Sequence, residues 1–178
     1  MESSLQTGAV ALIPMTLELC QIYFQDFQND AAIYMDMSKF APYRYQKEAV
    51  DAFFRRQTTP DRRYFAIMVA GQPVGELVLK RIDFEKSCCT MGIHLQNDGV
   101  KGKGYGTAAE RLALRYAFTE LMLQTVYADT VRKNTRSRHV LEKVGFEPIG
   151  EDDMFFYFKM ERERFEKTDM WGNSYDGQ

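Results

Sequence analysis

Four of the chain's twelve glycines, Gly99, Gly102, Gly104 and Gly106, crowd into one short stretch. Three of them fall within Lys101-Gly102-Lys103-Gly104-Tyr105-Gly106-Thr107, directly ahead of a long helical pattern. Amides at a helix start lack intrahelical acceptors and sit at the positive end of the helix dipole, and missing side chains let an anion approach them. Lys101 and Lys103 add positive charge. The combination suits phosphate, and a diphosphate above all. A P-loop would need Gly-Lys-Ser/Thr to close its pattern, and here Gly104 is followed by Tyr105-Gly106. A dinucleotide fingerprint counted from Gly102 puts Thr107 where its third glycine belongs. A tight turn with solvated lysines is the plain structural alternative, and the glycine density weighs against it.

The elements that must position this loop follow from periodicity. A short strand around Val10 and Leu12 ends at Pro14, and Thr16 can cap a helix with Leu17, Cys20, Phe24 and Phe27 on one face. Residues 31–45 lack a clean period, and a second helix is expected over 46–57. Apolar runs over 64–69, 74–82 and 88–96, separated by turns at 70–73 and 83–86, read as an antiparallel meander. From Gly104 the period becomes helical, with Ala108, Leu112 and Tyr116 opposite Arg111, Arg115 and Thr119. A strand over 125–130, a helix over 134–144 capped by Gly145, and strands over 146–149 and 154–160 complete the order. The single strand–helix–strand crossover makes strands 88–96 and 125–130 parallel neighbours, and ligands collect beyond the carboxyl ends of such strands. Topology alone therefore points to the loop over 97–106.

The whole composition bounds the rest. The 178 residues suit one domain, expected over 1–166, with a polar tail over 167–178 that carries the only tryptophan, Trp171. A formal charge of −2 gives no general attraction to nucleic acid or anionic lipid. The longest uncharged stretch, residues 3–17, is too short and polar to cross a bilayer. The first basic residue is Lys39, so nothing here opens a secretory signal, and a cytoplasmic setting is expected. Three cysteines without a CxxC pair, and two histidines, indicate neither a disulfide framework nor a metal site. Cys88 and Cys89 read as packing.

The glycine loop resembles the acetyl-coenzyme A loop of the GNAT N-acetyltransferase superfamily, with Lys101 where Arg or Gln is usual. The resemblance continues through Asn134-Thr135-Arg136-Ser137 and Leu141-Glu142-Lys143-Val144-Gly145-Phe146. That signature is similar to the branch holding the ribosomal-protein N-terminal acetyltransferases (RimJ/RimL-like). It implies an α+β (α/β) fold: a mixed, mostly antiparallel twisted sheet, helices on both faces, and a splayed parallel strand pair at the cofactor cleft.

The resemblance also implies roles. Gly102, Gly104, Tyr105, Gly106 and Thr107, with Lys101 and Lys103, would hold the diphosphate, and the amides of Ile93 and Leu95 the pantetheine arm and thioester. Asn134 would bond that arm, or simply cap its helix, and Ser137 could steady the departing thiolate. Leu141 stands where many relatives carry a tyrosine, which leaves Ser137 or Tyr157 as acid. Tyr34, Phe40, Tyr43 and Tyr45 would wall the acceptor side, with core packing as their alternative. Arg132 and Lys133 are further phosphate candidates. Residue chemistry offers His94 and Glu76 as bases for the attacking amine, against a structural His94 and a Glu76 on a solvated sheet face. The turn at 151–153 is acidic and could favour a cationic acceptor.

The expectation is an acetyl-CoA-dependent N-acetyltransferase that serves a primary amine, a protein N-terminus or a small amine, by direct transfer in a ternary complex. A non-catalytic acyl-CoA-binding module of the same fold is the rival. A homodimer is a further expectation, through docking of the tail on a neighbour.

Overall fold

A computed structural model of the chain describes residues 5–172. In order it contains β1 (Gln6–Thr7), β2 (Val10–Pro14), α1 (Leu17–Gln25), α2 (Lys47–Gln57), β3 (Arg63–Val69), β4 (Gln72–Asp83), β5 (Cys88–Leu95), α3 (Tyr105–Thr119), β6 (Thr125–Val131), α4 (Thr135–Val144), β7 (Glu147–Glu151), β8 (Phe155–Glu161) and α5 (Arg162–Gly172). The eight strands form one sheet in the order β1-β2-β3-β4-β5-β6-β8-β7, antiparallel except where β5 meets β6. This is the mixed sheet with one parallel pair that the sequence leads one to expect.

Local chemistry explains several boundaries. The Thr16 hydroxyl accepts from the Leu19 amide at 3.2 Å and starts α1. Ala70 and Gly71, both at positive φ, form the two-residue turn that returns β3 into β4. Gly145, at φ 108°, ends α4 in the left-handed conformation. Between α1 and α2 the chain makes only two single 3-10 turns, started by the carboxylates of Asp30 and Asp36.

Strand alternation places a core on each face of the sheet. In β3, Phe65 and Ile67 enter one apolar cluster while Tyr64 and Ala66 enter another. The second cluster is covered by Cys20, Tyr23 and Phe24 of α1 and Val50 of α2. The first is filled by Leu112, Ala113 and Phe118 of α3, joined by Val144 of α4 and Phe165 of α5. Arg111, Arg115 and Thr119 face solvent, as the period of α3 predicts.

The tail differs from its sequence reading. α5 continues through 167 to Gly172, with Arg162–Glu166 and Lys167–Glu163 pairs at 2.8 and 2.6 Å that a polar composition alone does not reveal as helical spacing. Residues 173–178 and the Trp171 side chain lie outside the described residues. β1, only two residues long, has no sequence period to announce it.

One feature of the sheet positions the site. β5 pairs with β6 only from Cys88↔Thr125 to Met91↔Ala128, yet stays paired with β4 through Gly75↔Leu95. From Gly92 onward the edge of β5 that faces β6 has no strand partner among the described residues.

Candidate active site

The divergence of β5 from β6 opens a cleft of about 810 Å³. The Gln96 amide donates to the Val74 carbonyl, on the β4 side. Alternation then turns the amides of Ile93 and Leu95 to the opposite edge, into the cleft that both residues line.

The glycine loop and the start of α3 form a second wall. Gly102 and Gly104 have φ of 73° and 80°, a left-handed conformation that side-chain-bearing residues adopt at a cost. The first intrahelical bond runs from the Ala108 amide to the Gly104 carbonyl at 3.0 Å. The amides of Tyr105, Gly106 and Thr107, all cleft-lining residues, are therefore left for a ligand. The expected lysines divide. Lys103 is exposed and does not line the cleft, whereas Lys101 lines it but has Nζ at 2.7 Å from Asp30 and 3.1 Å from Asp98. The Lys101 ammonium holds the Asp30 carboxyl below the usual carboxylate range.

α4 supplies the facing side. The Asn134 side-chain oxygen caps the helix by accepting from the Ser137 amide at 3.0 Å, which leaves its Nδ2 donors uncommitted. Asn134 and Ser137 both line the cleft, with Arg136 and Lys143 beside them. Arg132 and Lys133 do not. Arg132 pairs with Glu151 at 3.0 Å, and Lys133 donates to the Tyr34 carbonyl at 3.1 Å. Leu141 is buried in the core.

Across the β4–β5 ladder, Glu76 and His94 are direct partners. His94 lines the cleft, with Nδ1 3.6 Å from Glu76 Oε1 and Nε2 on the far side of the ring. The Tyr64 hydroxyl donates to Glu76 Oε2, and Cys20 Sγ lies 3.7 Å from the same hydroxyl. Burial pushes the Glu76 carboxyl up to about 7, against the opposing pull of the Tyr64 hydrogen bond. Partial desolvation by the surrounding cleft walls, then the Lys80 and Lys101 charges, hold the His94 imidazole below its ordinary value, although its side chain is still 62% exposed. Glu76 is thus not on a solvated face. The α1–α2 layer covers it, because Tyr64 beside it belongs to that layer's core.

The acceptor side is only partly as expected. Tyr34 lines the cleft and is buttressed edge-on by Phe40, with ring centroids 5.2 Å apart. Phe40, Tyr43 and Tyr45 do not line it. Tyr43 packs among Phe24 and Phe27, and Tyr45 donates to Gln21. Phe27, Ile33, Met35 and Met154 supply the apolar wall instead. Tyr157 lies away from the cleft, since alternation in β8 turns it outward, where its hydroxyl donates to Asp152 at 2.6 Å. That carboxylate also accepts from the Met154 and Phe155 amides, so the acidic turn is occupied with holding its own shape.

A further cleft residue that the sequence does not announce is a carboxylate. Glu110 of α3 is 1% exposed, lines the cleft, and has an Oε2 without a hydrogen-bond partner among the described residues. Its signal was a carboxylate interrupting Ala109, Leu112 and Ala113 on the buried face of the helix.

A long donor-rich cleft with amides free of intrahelical acceptors, a buried carboxyl without a partner among the described residues and a basic rim fits coenzyme A. The family profile described as "Acetyltransferase (GNAT) domain" matches residues 10–147, and the chain belongs to that family. It is a GNAT N-acetyltransferase that uses acetyl-CoA. Spermidine N(1)-acetyltransferase of Escherichia coli (strain K12) is 27% identical over 129 residues, 72% of this chain and 68% of that protein. FdhC, described as a nucleotide-linked sugar GNAT, superposes with a TM-score of 0.80 at 15% identity, covering 99% of this chain and 100% of its own. The spermidine N-acetyltransferase from Vibrio cholerae in complex with CoA and spermine gives 0.74 at 17% identity, covering 89% and 99%. No helix among the described residues is long and apolar enough to cross a membrane.

Proposed function

We propose that the chain acetylates a primary amine, a protein N-terminus or a small amine, with both substrates bound together and His94 Nε2 accepting the amine's proton. The observation that carries this reading is the Glu76–His94 pair at the splayed end of β5, beside the amides of Ile93 and Leu95. Acetyl-CoA supplies an activated acetyl group that passes from sulfur to nitrogen, while one proton leaves the nitrogen and one ends on the sulfur. With Glu76 ionised, Nδ1 keeps its proton and Nε2 presents a lone pair. An alkylammonium with pKa near ~10 is too weak an acid for this imidazole to deprotonate outright. His94 therefore acts on the neutral amine, whose nitrogen becomes strongly acidic only as it forms its new bond. The Ile93 and Leu95 amides would hold the acyl carrier and the Tyr105–Thr107 amides its diphosphate. Ser137 Oγ, from α4 on the cleft wall, would offer a proton to the departing sulfur.

The walls support one reading of the acceptor. Phe27, Ile33 and Met35 offer an apolar surface, and two of the three cleft carboxyls are already paired, Asp30 with Lys101 at 2.7 Å and Asp36 with Lys39 at 3.7 Å, while burial favours the neutral form of the third, Glu110. Such a wall suits an amine on an apolar body, and the Asn134-to-Ser137 and Glu142-to-Phe146 segments support the RimJ/RimL-like reading with a peptide N-terminus. A polyamine is the second reading, favoured by the Escherichia coli relative. Thiol release from acetyl-CoA, followed with N-terminal peptides, small aryl amines and spermidine, tests both. Peptide or aryl-amine turnover is expected. Turnover of spermidine alone would establish the second reading.

A further inference from the structure

Glu110 lies four residues after Gly106 and three after Thr107, so all three share one face of α3, and all three line the cleft. A Cβ placed on Gly106 would sit 4.0 Å from Leu95 Cδ1, so this face of the helix approaches the end of β5. Glu110 is thus about one helical turn, roughly 5–6 Å, inward of the amides suited to phosphate. Its carboxyl is 1% exposed and its Oε2 has no partner among the described residues. Buried polar atoms are almost always hydrogen-bonded in folded proteins, so an orphan that lines a ligand cleft points to a partner on the ligand. Burial pushes the carboxyl up to about 8, which leaves it largely protonated at neutral pH. A neutral carboxyl offers one O–H donor and one carbonyl acceptor side by side. A diphosphate, an anion with acceptors only, is a poor match. A secondary amide, with one N–H and one C=O, is a good one, and the part of the acyl carrier that runs inward from its diphosphate toward His94 carries two.

We propose that Glu110 is a positioning residue for acetyl-CoA, hydrogen-bonded as a neutral acid to an amide of the pantetheine arm. This rests on the carrier occupying the cleft between α3 and β5. Titration calorimetry should compare CoA with adenosine 3′,5′-bisphosphate, which lacks the arm, on wild type, Glu110→Gln and Glu110→Leu. The leucine variant is expected to weaken CoA by roughly three- to tenfold, the worth of one desolvated hydrogen bond, and to leave the bisphosphate unchanged. Glu110→Gln, which keeps a donor and an acceptor, should stay close to wild type. Without ligand, Glu110→Leu should melt higher than wild type, since the unpaired carboxyl is gone. An equal loss for both ligands would place Glu110 on the nucleotide and overturn the assignment, as would no loss for either. Failure of both ligands to bind wild type would instead overturn the placement of the carrier. Should the leucine variant not fold, infrared difference spectra decide. CoA must shift a protonated-carboxyl stretch in wild type that Glu110→Gln lacks, and an unshifted band refutes the proposal.

Discussion

At the residue scale, the proposed Glu76–His94 pair has the clearest pH signature. The rate should climb as pH rises through the depressed His94 value, and again near 7 as Glu76 ionises and can fix the Nδ1 proton. His94→Gln is expected to lower kcat/KM by roughly 10²-fold with the KM for acetyl-CoA unchanged. Glu76→Gln should lower it less and erase the upper inflection; a profile that keeps that step removes Glu76 from the pair. The same carboxyl has a stability signature of opposite sense. Its folded value, about 7, lies above its ordinary 4.5, so the native state holds a proton that the unfolded chain has already released. Folding stability from this group is full below about 4.5 and is lost as pH rises through about 7. Glu76→Gln should therefore gain on wild type in melting temperature between pH 5 and pH 8.

At the scale of elements, the site depends on how closely β4 and β5 approach. A Cβ on Gly75 would lie 2.9 Å from the His94 carbonyl oxygen, from Ile67 Cδ1 and from Leu95 Cδ2. The backbone oxygen cannot swing aside, so Gly75→Ala must push β5 itself. We expect a cost of about 1–3 kcal/mol in denaturant unfolding, with a fall in kcat because His94 and the Leu95 amide move together. An alanine variant of full activity would mean that the strand tolerates displacement. The segment between α1 and α2 is held at its ends by Phe27 and Tyr43 packing on Phe24, and between them by polar ties that include Asp30 to Lys101 at 2.7 Å and the Tyr34 carbonyl to Lys133 at 3.1 Å. These ties occupy two of the cations that a phosphate reading of the sequence reserves for the ligand.

At the scale of the whole molecule, the cleft joins parts that otherwise belong to separate cores. α1 and α2 pack on one face of the sheet, α3 on the other, and the carrier would touch residues from both sides of the split. A ligand at such a seam should stabilise the domain as a unit. CoA at 100 times its Kd is expected to add about 2.7 kcal/mol, which in a domain of this size raises Tm by roughly 5–10 °C. The transition should stay single, and a biphasic melt would show the two layers unfolding separately.

What could be read from sequence was local. The left-handed cap at Gly145, the Thr16 and Asn134 caps, the apolar run of β3 and the facing of α3 all depend on a few neighbouring residues, and the crossover that brings β5 beside β6 follows from their order. Tertiary structure decided what those elements place together. Glu76 meets His94 only because the β4–β5 register aligns them, and Lys101 is drawn to Asp30, 71 residues away. Tyr157 turns outward because Phe158 and Met160 take the core face of β8, and the Glu110 carboxyl is left without a partner among the described residues only once α3 is packed. Torsional and capping preferences act within a turn of chain and so are written in residue order. Burial and the pairing of charges are set by distances through space, which exist only after the chain has folded.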